Sequence, residues 1–290
     1  MNSPISCNTS QVNRDEAQRW AEHAGLKMQY SADLSLLNAL DAPFTRLSMD
    51  EATAEYLLNS EAARHGALIT WLHRAMRGFL SDFDINGYLG TYPMHVLSSD
   101  QWETLLGDRR GRLLDVGAGR GDATLALASR FDQVVVTETS HAMAKRLRKQ
   151  GYECLEEDIS QREDLYESFD AVSLLNVLDR CDKPLSLLGS ARRALKPNGL
   201  LIIALVLPYH AFVYDRGSPR APHERLPIAA KEWELAAVQF ISTCLIPLGL
   251  EIVTLSRAPY LSGGDTRKAL YELDDLIVIA RAKGNVALVG

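Results

Sequence analysis

Along residues 112–283, short apolar runs alternate with longer stretches in which apolar and polar positions mix at helical spacing. That rhythm predicts strands and helices in turn, and so a largely parallel sheet with helices on both faces. Seven runs read as strands: Leu113-Leu114-Asp115-Val116, Val134-Val135-Val136-Thr137-Glu138, residues 152–158, 169–176 and 200–207, then 251–256 and 273–281. The fourth, Phe169-Asp170-Ala171-Val172-Ser173-Leu174-Leu175-Asn176, is apolar along most of its length, as a strand covered on both faces is. Helices are predicted over 123–131, 183–195 and 231–248. The second is stopped by Lys196-Pro197-Asn198-Gly199, a turn by its Pro and Gly content.

Residues 1–107 lack this alternation and read as a helical region ahead of a domain at 108–290. Asn13-Arg14-Asp15-Glu16 opens a helix running to Ala24, Ser48-Met49-Asp50-Glu51 has the form of a capping box, and 61–80 is a third helix. Asp84-Ile85-Asn86-Gly87-Tyr88-Leu89, a polar turn followed by an aromatic and then an apolar residue, is a candidate lid.

Candidate chemistry begins where the first strand ends, in Asp115-Val116-Gly117-Ala118-Gly119-Arg120-Gly121-Asp122. Gly117, Gly119 and Gly121 let the backbone turn sharply and approach a ligand closely. A dinucleotide fingerprint places its third glycine one residue later. Asp115 would repel a phosphate there and suits the cationic end of an amino-acid-bearing nucleoside. The loop therefore predicts S-adenosylmethionine over NAD. Glu138, about 20 residues past the loop, stands where a second parallel strand presents a carboxylate to ribose hydroxyls. Asp158, ending the third strand, suits the adenine amino group, and the fourth strand should emerge beside the sulfonium. The predicted fold is the α/β, Rossmann-like seven-stranded sheet of class I S-adenosylmethionine-dependent methyltransferases, whose last two strands pair antiparallel at one edge.

Composition narrows the partners. A chain of 290 residues, 47% hydrophobic, can bury one substantial core and an accessory segment. A net charge of −6 and an isoelectric point near 5.7 argue against a protein that wraps nucleic acid, so Arg109-Arg110-Gly111-Arg112 and Lys145-Arg146-Leu147-Arg148-Lys149 read as solvated faces. Cys7, Cys154, Cys181 and Cys244 have neither C-x-x-C nor Cys/His ligand spacing, which predicts no metal, no disulfide framework and a reducing, cytoplasmic compartment. Residues 1–14 lack the apolar core of a signal peptide, and no apolar run reaches the length of a membrane span.

The segment after the fourth strand bears on the acceptor. Asn176-Val177-Leu178-Asp179-Arg180-Cys181-Asp182 lacks the Asp/Asn-Pro-Pro-aromatic run of adenine amino methylases. It offers instead an amide and a carboxylate three residues apart, which on a helical turn face the same way. Such a pair suits an acceptor with both a lone pair and an N–H, of which imidazole is one. Asp179 as a plain helix cap is the structural alternative.

Leu174-Leu175-Asn176-Val177-Leu178-Asp179-Arg180-Cys181-Asp182-Lys183-Pro184-Leu185, Ala204-Leu205-Val206-Leu207-Pro208-Tyr209-His210, Pro259-Tyr260-Leu261 and Tyr271-Glu272-Leu273-Asp274-Asp275 closely resemble the DREV family of methyltransferase-like proteins. The resemblance runs from about Asp84 to Arg281. It implies a protein-histidine methyltransferase acting on the pros nitrogen, Nδ1, of H-x-H sequences with a small middle residue. It puts Asn176 and Asp179 at the target imidazole, with Tyr260 and Tyr271 on the walls of a peptide groove. Pro208, Tyr209 and His210 lie near that groove, and Asp115, Gly117, Gly119, Glu138 and Asp158 surround the cofactor. His210 beside a proline turn also fits a structural role. Residues 1–80 depart from the family, Tyr88 stands where it tends to carry tryptophan, and the secretory-type N-terminus of animal members is missing. A small-molecule N- or O-methyltransferase and a non-catalytic cofactor-binding scaffold remain as alternatives.

Overall fold

The computed structural model describes residues 6–62, 93–159, 162–215, 218–263, 268 and 270–283. The candidate lid Asp84–Leu89, with Tyr88, and nearly all of the helix predicted over 61–80 lie outside them. In chain order the elements are α1 (Ser6–His23), α2 (Leu34–Leu37), α3 (Glu51–Ala62), β1 (Met94–His95), α4 (Ser99–Leu106), β2 (Arg112–Val116), α5 (Asp122–Ala128), β3 (Gln133–Thr137), α6 (His141–Lys149), β4 (Glu153–Leu155) and β5 (Phe169–Leu175). They continue with α7 (Pro184–Ala194), β6 (Leu195–Val206), β7 (Val213–Asp215), β8 (Ser218–Arg220), α8 (Trp233–Phe240), β9 (Leu250–Gly263) and β10 (Leu270–Ala282).

One eight-stranded sheet organises the chain, in the order β4-β3-β2-β5-β6-β10-β9-β1, while β7 and β8 pair as a separate ribbon. The five strands from β4 to β6 are parallel, whereas β10 and β9 run antiparallel at the far side. Side chains alternate between two core layers. Leu114, Val172, Leu201 and Ile203 face α7 and α8, while Leu113, Ala171, Leu200 and Ile202 face Trp102 of α4 and Leu127 of α5. A period of two with both layers apolar is what a doubly covered parallel sheet requires. The chain winds outward from β2 through β3 to β4, then crosses back to β5. That reversal opens a crevice at the strand carboxyl ends beside β2, the position where open α/β sheets bind ligands.

The seven predicted strands are joined by β1, which pairs with β9 through Met94–Ser262 and His95–Leu261. Residues ahead of it grip the same hairpin: Glu272 accepts the backbone N–H groups of Lys27 at 2.7 Å and Met28 at 2.6 Å, and Thr45 N–H donates to Leu255 O at 2.8 Å. The helix starts also differ from expectation. Asp50, rather than Ser48, caps α3, accepting Thr53 N–H at 2.9 Å. The capping box belongs to α4, where Ser98 and Gln101 exchange hydrogen bonds of 3.1 and 3.0 Å. The helix predicted over 231–248 is α-helical only to Phe240. It widens into a π-turn at Ile241–Leu245 and tightens to a 3-10 turn at Ile246–Leu248, because Pro247 has no N–H for an α-helical bond. Both last strands outrun their predicted lengths, since the hairpin is prolonged by polar cross-strand contacts such as the fork of Arg257 on Asp274 at 2.9 and 2.5 Å.

No helix of the described residues is long and apolar enough to cross a membrane. Among those residues no group of three or more His, Cys, Asp or Glu could hold a metal ion.

Candidate active site

Three loops meet at the crevice: the glycine loop after β2, the turn after β3 and the turn after β5. In the first, Gly117, Gly119 and Gly121 have φ of +71°, +56° and +85°, a region that costs a residue with a Cβ. Space differs among them. A Cβ on Gly117 would meet Val177 Cγ2 at 2.9 Å and one on Gly121 would meet Gln150 Oε1 at 2.7 Å, so those two are packed from below. Around Gly119 the nearest atom among the described residues is Met94 Cε at 3.8 Å, so on their side the loop has room.

Acidic groups hold this loop in shape. Asp115, 2% exposed, lies beneath it rather than at its lip, accepting Thr124 Oγ1 at 2.5 Å and Ser173 Oγ at 2.6 Å. Burial pushes its carboxyl up to about 6, against the pull of those two hydroxyls. The acid expected to face a cationic ligand therefore ties β2 to α5 and β5 from inside. Glu138 follows β3 and bridges the loops, accepting Gly119 N–H at 2.9 Å and Ser140 N–H at 2.8 Å. A carboxylate oxygen can accept more than one hydrogen bond, so ribose hydroxyls can donate to it as well. Asp158 is exposed beyond β4, with Cys181 close enough to feel its charge.

The turn after β5 carries the proposed acceptor residues. Asn176 adopts φ +55°, a left-handed conformation that asparagine tolerates better than most residues. Its backbone N–H donates to Ala204 O at 2.9 Å, and its side-chain Nδ2 donates to Asp275 Oδ2 at 2.8 Å. The segment is a turn and not the helical one expected, and α7 starts only at Pro184, with Lys183 at the N-cap position, so Asp179 is no helix cap. It still converges on the same place. Asp179 is 2% exposed, and Arg180 Nη1 approaches its Oδ2 at 3.2 Å while stacking 3.9 Å over the Phe212 ring. Burial raises the Asp179 carboxyl above the ordinary carboxylate range, opposed by Arg180 and His210.

Asp275 belongs to this centre although sequence pattern alone assigns it no role. It is fully buried on β10, and Asp179 and Asp274 join burial in pushing its carboxyl well above the ordinary range. Its signal was an acid heading the run Leu276-Ile277-Val278-Ile279 in a strand covered on both faces. Three buried oxygens in this cluster have no hydrogen-bond partner among the described residues: Asn176 Oδ1, Asp179 Oδ1 and Asp275 Oδ1. Such groups are rare and costly unless a ligand completes them.

The remaining candidates divide. Tyr260, on β9, is half-buried beside Asp275 and Asp179, donates its OH to Met94 Sδ at 2.8 Å, and is raised above an ordinary phenol by burial. Tyr271 lies on the same face of β10 as Asp275, four residues away and 40% exposed, at the end of the hairpin where β9 leads into β10. Pro208 and His210 are exposed after β6, with His210 near Asp179. Tyr209 turns inward instead, its OH accepting Leu226 N–H at 3.4 Å.

The model of the DREV methyltransferases matches residues 29–282. The chain belongs to the DREV methyltransferase family. The match reaches back to residue 29, so much of the N-terminal region thought to depart from the family is part of it. The chain is also similar to a putative methyltransferase, BH2331, from Bacillus halodurans C-125 (14% identity, 64% of this chain and 98% of that one, TM-score 0.46) and to the [4+2]-cyclase SpnF (19%, 64% and 81%, TM-score 0.45). A third is the N-methyltransferase NodS from Bradyrhizobium japonicum WM9 in complex with S-adenosyl-L-homocysteine (15%, 63% and 85%, TM-score 0.41). This DREV methyltransferase has the class I S-adenosylmethionine-dependent fold and uses S-adenosylmethionine. The residues fit that cofactor: a glycine cradle with room at Gly119, a strand-end carboxylate at Glu138, and Asn176 at the next strand end.

Proposed function

We propose that this DREV methyltransferase is a protein-L-histidine N-pros-methyltransferase, modifying Nδ1 of histidine in H-x-H sequences. The observation that carries the reading is the pair of buried, unpartnered acceptors Asn176 Oδ1 and Asp179 Oδ1 at the end of β5. A substrate that completes Asp179 Oδ1 beside the Asn176 carbonyl must donate an N–H and still keep a free lone pair to attack. Neutral imidazole does both.

The Gly117–Gly121 loop, Glu138, Asp158 and Asn176 would hold S-adenosylmethionine, which when bound would supply an electrophilic methyl carbon. The protein's own part is alignment and charge. Asp179 takes Nε2–H, which selects the tautomer with its lone pair on Nδ1 and directs that nitrogen to attack. As the N–CH3 bond forms and the methyl's bond to sulfur breaks, leaving a neutral thioether, the ring becomes cationic, and the carboxylate beside Nε2–H stabilises it. Burial has raised Asp179's proton affinity, so it is suited to receive the Nε2 proton and pass it to solvent. Asn176 Oδ1 turns the negative end of an amide dipole toward the same ring. Tyr260 and Tyr271 line one face of the hairpin as walls for the peptide, with Pro208 and His210 at the rim.

Purified protein with labelled S-adenosylmethionine, H-x-H peptides, free histidine and small metabolites tests this reading. Label on the peptides, mapped to Nδ1 by fragment ions or NMR, is the expected result. Label only on small metabolites would establish the small-molecule alternative, and label at Nε2 would overturn the geometry.

A further inference from the structure

Asp275 is an expensive residue to keep where it is. It lies on the central part of β10, opposite Val206 of β6 and Ala258 of β9, with no solvent exposure. Its Oδ2 accepts from Asn176 Nδ2 at 2.8 Å, and its Oδ1 is unpartnered among the described residues. A leucine would fill such a site without desolvating a carboxyl group. What the acid does is decide which way the Asn176 amide points. Asn176 is otherwise tied through its backbone, by the bond to Ala204 O. Its amide could turn over, since the two ends have nearly the same shape.

The two orientations differ in chemistry. With Nδ2 held at the back, Oδ1 faces the site and offers an acceptor to a ring that is gaining positive charge. Turned over, the amide would offer an N–H. That donor would bond the Nδ1 lone pair needed for attack and oppose the growing cation. We propose that Asp275 is a positioning residue for methyl transfer, acting by anchoring the Asn176 amine so that the carbonyl oxygen faces the acceptor ring. The proposal rests on the imidazole reading of the site. It holds whether Asp275 is ionised or carries its proton on Oδ1, because Oδ2 keeps a lone pair in both states.

The test is a double-mutant cycle on peptide methylation in the full chain. Asp275→Leu should lower kcat by about tenfold or more, the factor by which one hydrogen bond to the lone pair would favour the turned amide. Peptide KM and S-adenosylmethionine affinity should move much less. Asp275→Asn can accept from Asn176 in the native orientation but can also donate to its Oδ1 in the turned one, so it should recover only part of the loss. In an Asn176→Ala background neither substitution should lower the rate further. Equal losses in both backgrounds would make Asp275 a purely structural residue and overturn the proposal. If Asp275→Leu does not fold, the same comparison is made with Asp275→Ala and by NMR of the Asn176 side-chain amide, identified by its loss in Asn176→Ala. An amide signal unchanged by Asp275→Ala would also overturn it. Methylation of the peptide at Nδ1 by the unaltered protein tests the histidine reading separately. If that fails while the amide signal responds, the imidazole reading falls and the Asp275–Asn176 anchor stands.

Discussion

Asp115→Asn isolates the electrostatic cost of building the glycine loop over a buried acid. The rise of the Asp115 carboxyl from its ordinary 3.8 to about 6 means that the fold prefers its protonated form. The stability it contributes is therefore complete below pH 3.8 and is lost as pH rises through about 6. That difference corresponds to roughly 3 kcal/mol. Asparagine keeps the shape, accepts Thr124 Oγ1 with its own oxygen and donates to Ser173 Oγ with its amine, so the two hydrogen bonds persist without the charge. The variant should match the unaltered protein at about pH 4 and exceed it by roughly 3 kcal/mol at about pH 8.

Urea unfolding of both proteins at a series of pH values measures this directly, because only the difference between the curves is needed and other titrating groups cancel. In melting temperature the gap at alkaline pH should be on the order of 5–10 °C. Parallel pH profiles would show that Asp115 titrates as an ordinary surface acid, and the burial argument would fail. A variant that falls behind the unaltered protein as pH rises would mean that the ionised carboxylate is favoured in the fold, with its two hydroxyl donors outweighing desolvation.

Three other outcomes rest on the site. Glu138→Ala removes the carboxylate from the ribose position and from Gly119 and Ser140, and should weaken S-adenosylmethionine binding about 10- to 100-fold by calorimetry; unchanged affinity removes Glu138 from the site. Asp179→Asn can still accept the ring N–H but cannot balance the cation, so turnover should fall about 10²- to 10³-fold with cofactor affinity little changed. Its loss should also abolish an acid limb of the kcat profile lying above the ordinary carboxylate range, since activity that needs ionised Asp179 disappears as pH falls through its raised pKa. Peptides with His-Leu-His or His-Trp-His should be methylated far more slowly than His-Ala-His, because a displacement of about 1 Å costs on the order of 100-fold; equal efficiencies would refute the groove between Tyr260 and Tyr271.

The central sheet was legible because each of its strands obeys one strong rule. Residues 169–175 and 200–206 are covered on both faces, so their apolar runs could hardly be anything else, and the three glycines after β2 sit at φ values that almost require them. The periphery obeys weaker rules. Both Ser48 and Ser98 precede a residue able to complete a capping box, and only tertiary contact decides: Gln101 closes on Ser98 while also donating to Ser48 O at 2.8 Å. The edge strand β1 is two residues long and gains its definition from β9, which no local pattern encodes. Asp275 stands in plain view at the end of a family-like motif, yet its partner lies 99 positions earlier, and nothing short of the fold brings an amide at the end of one strand against an acid within another. Asp115 was found for its position and given the wrong surroundings, because spacing reports distance along the chain and is silent on which side of the loop the carboxylate faces.

The acids of this site become intelligible together. Asp115, Asp179 and Asp275 are all nearly or fully buried, and all three are held above the ordinary carboxylate range by burial. Arg180 lies against Asp179, while Arg120 in the glycine loop is matched by Asp122 at 3.0 Å. The crevice thus has a surplus of groups that gain from a nearby positive charge. Methyl transfer from a sulfonium to a neutral nitrogen creates no new charge, but it moves one positive charge from donor to acceptor. A carboxylate field spread evenly over the crevice would stabilise both ends alike and leave the barrier unchanged. The field lowers the barrier only if it is stronger at the acceptor, and here Asp179 and the Asn176 carbonyl, anchored by Asp275, are gathered at the end of β5 rather than around the glycine loop, where Asp115 is enclosed and Glu138 is engaged by backbone N–H groups. On the proposed histidine reading, the asymmetry of the buried polar groups, more than their number, is what directs the charge toward the ring.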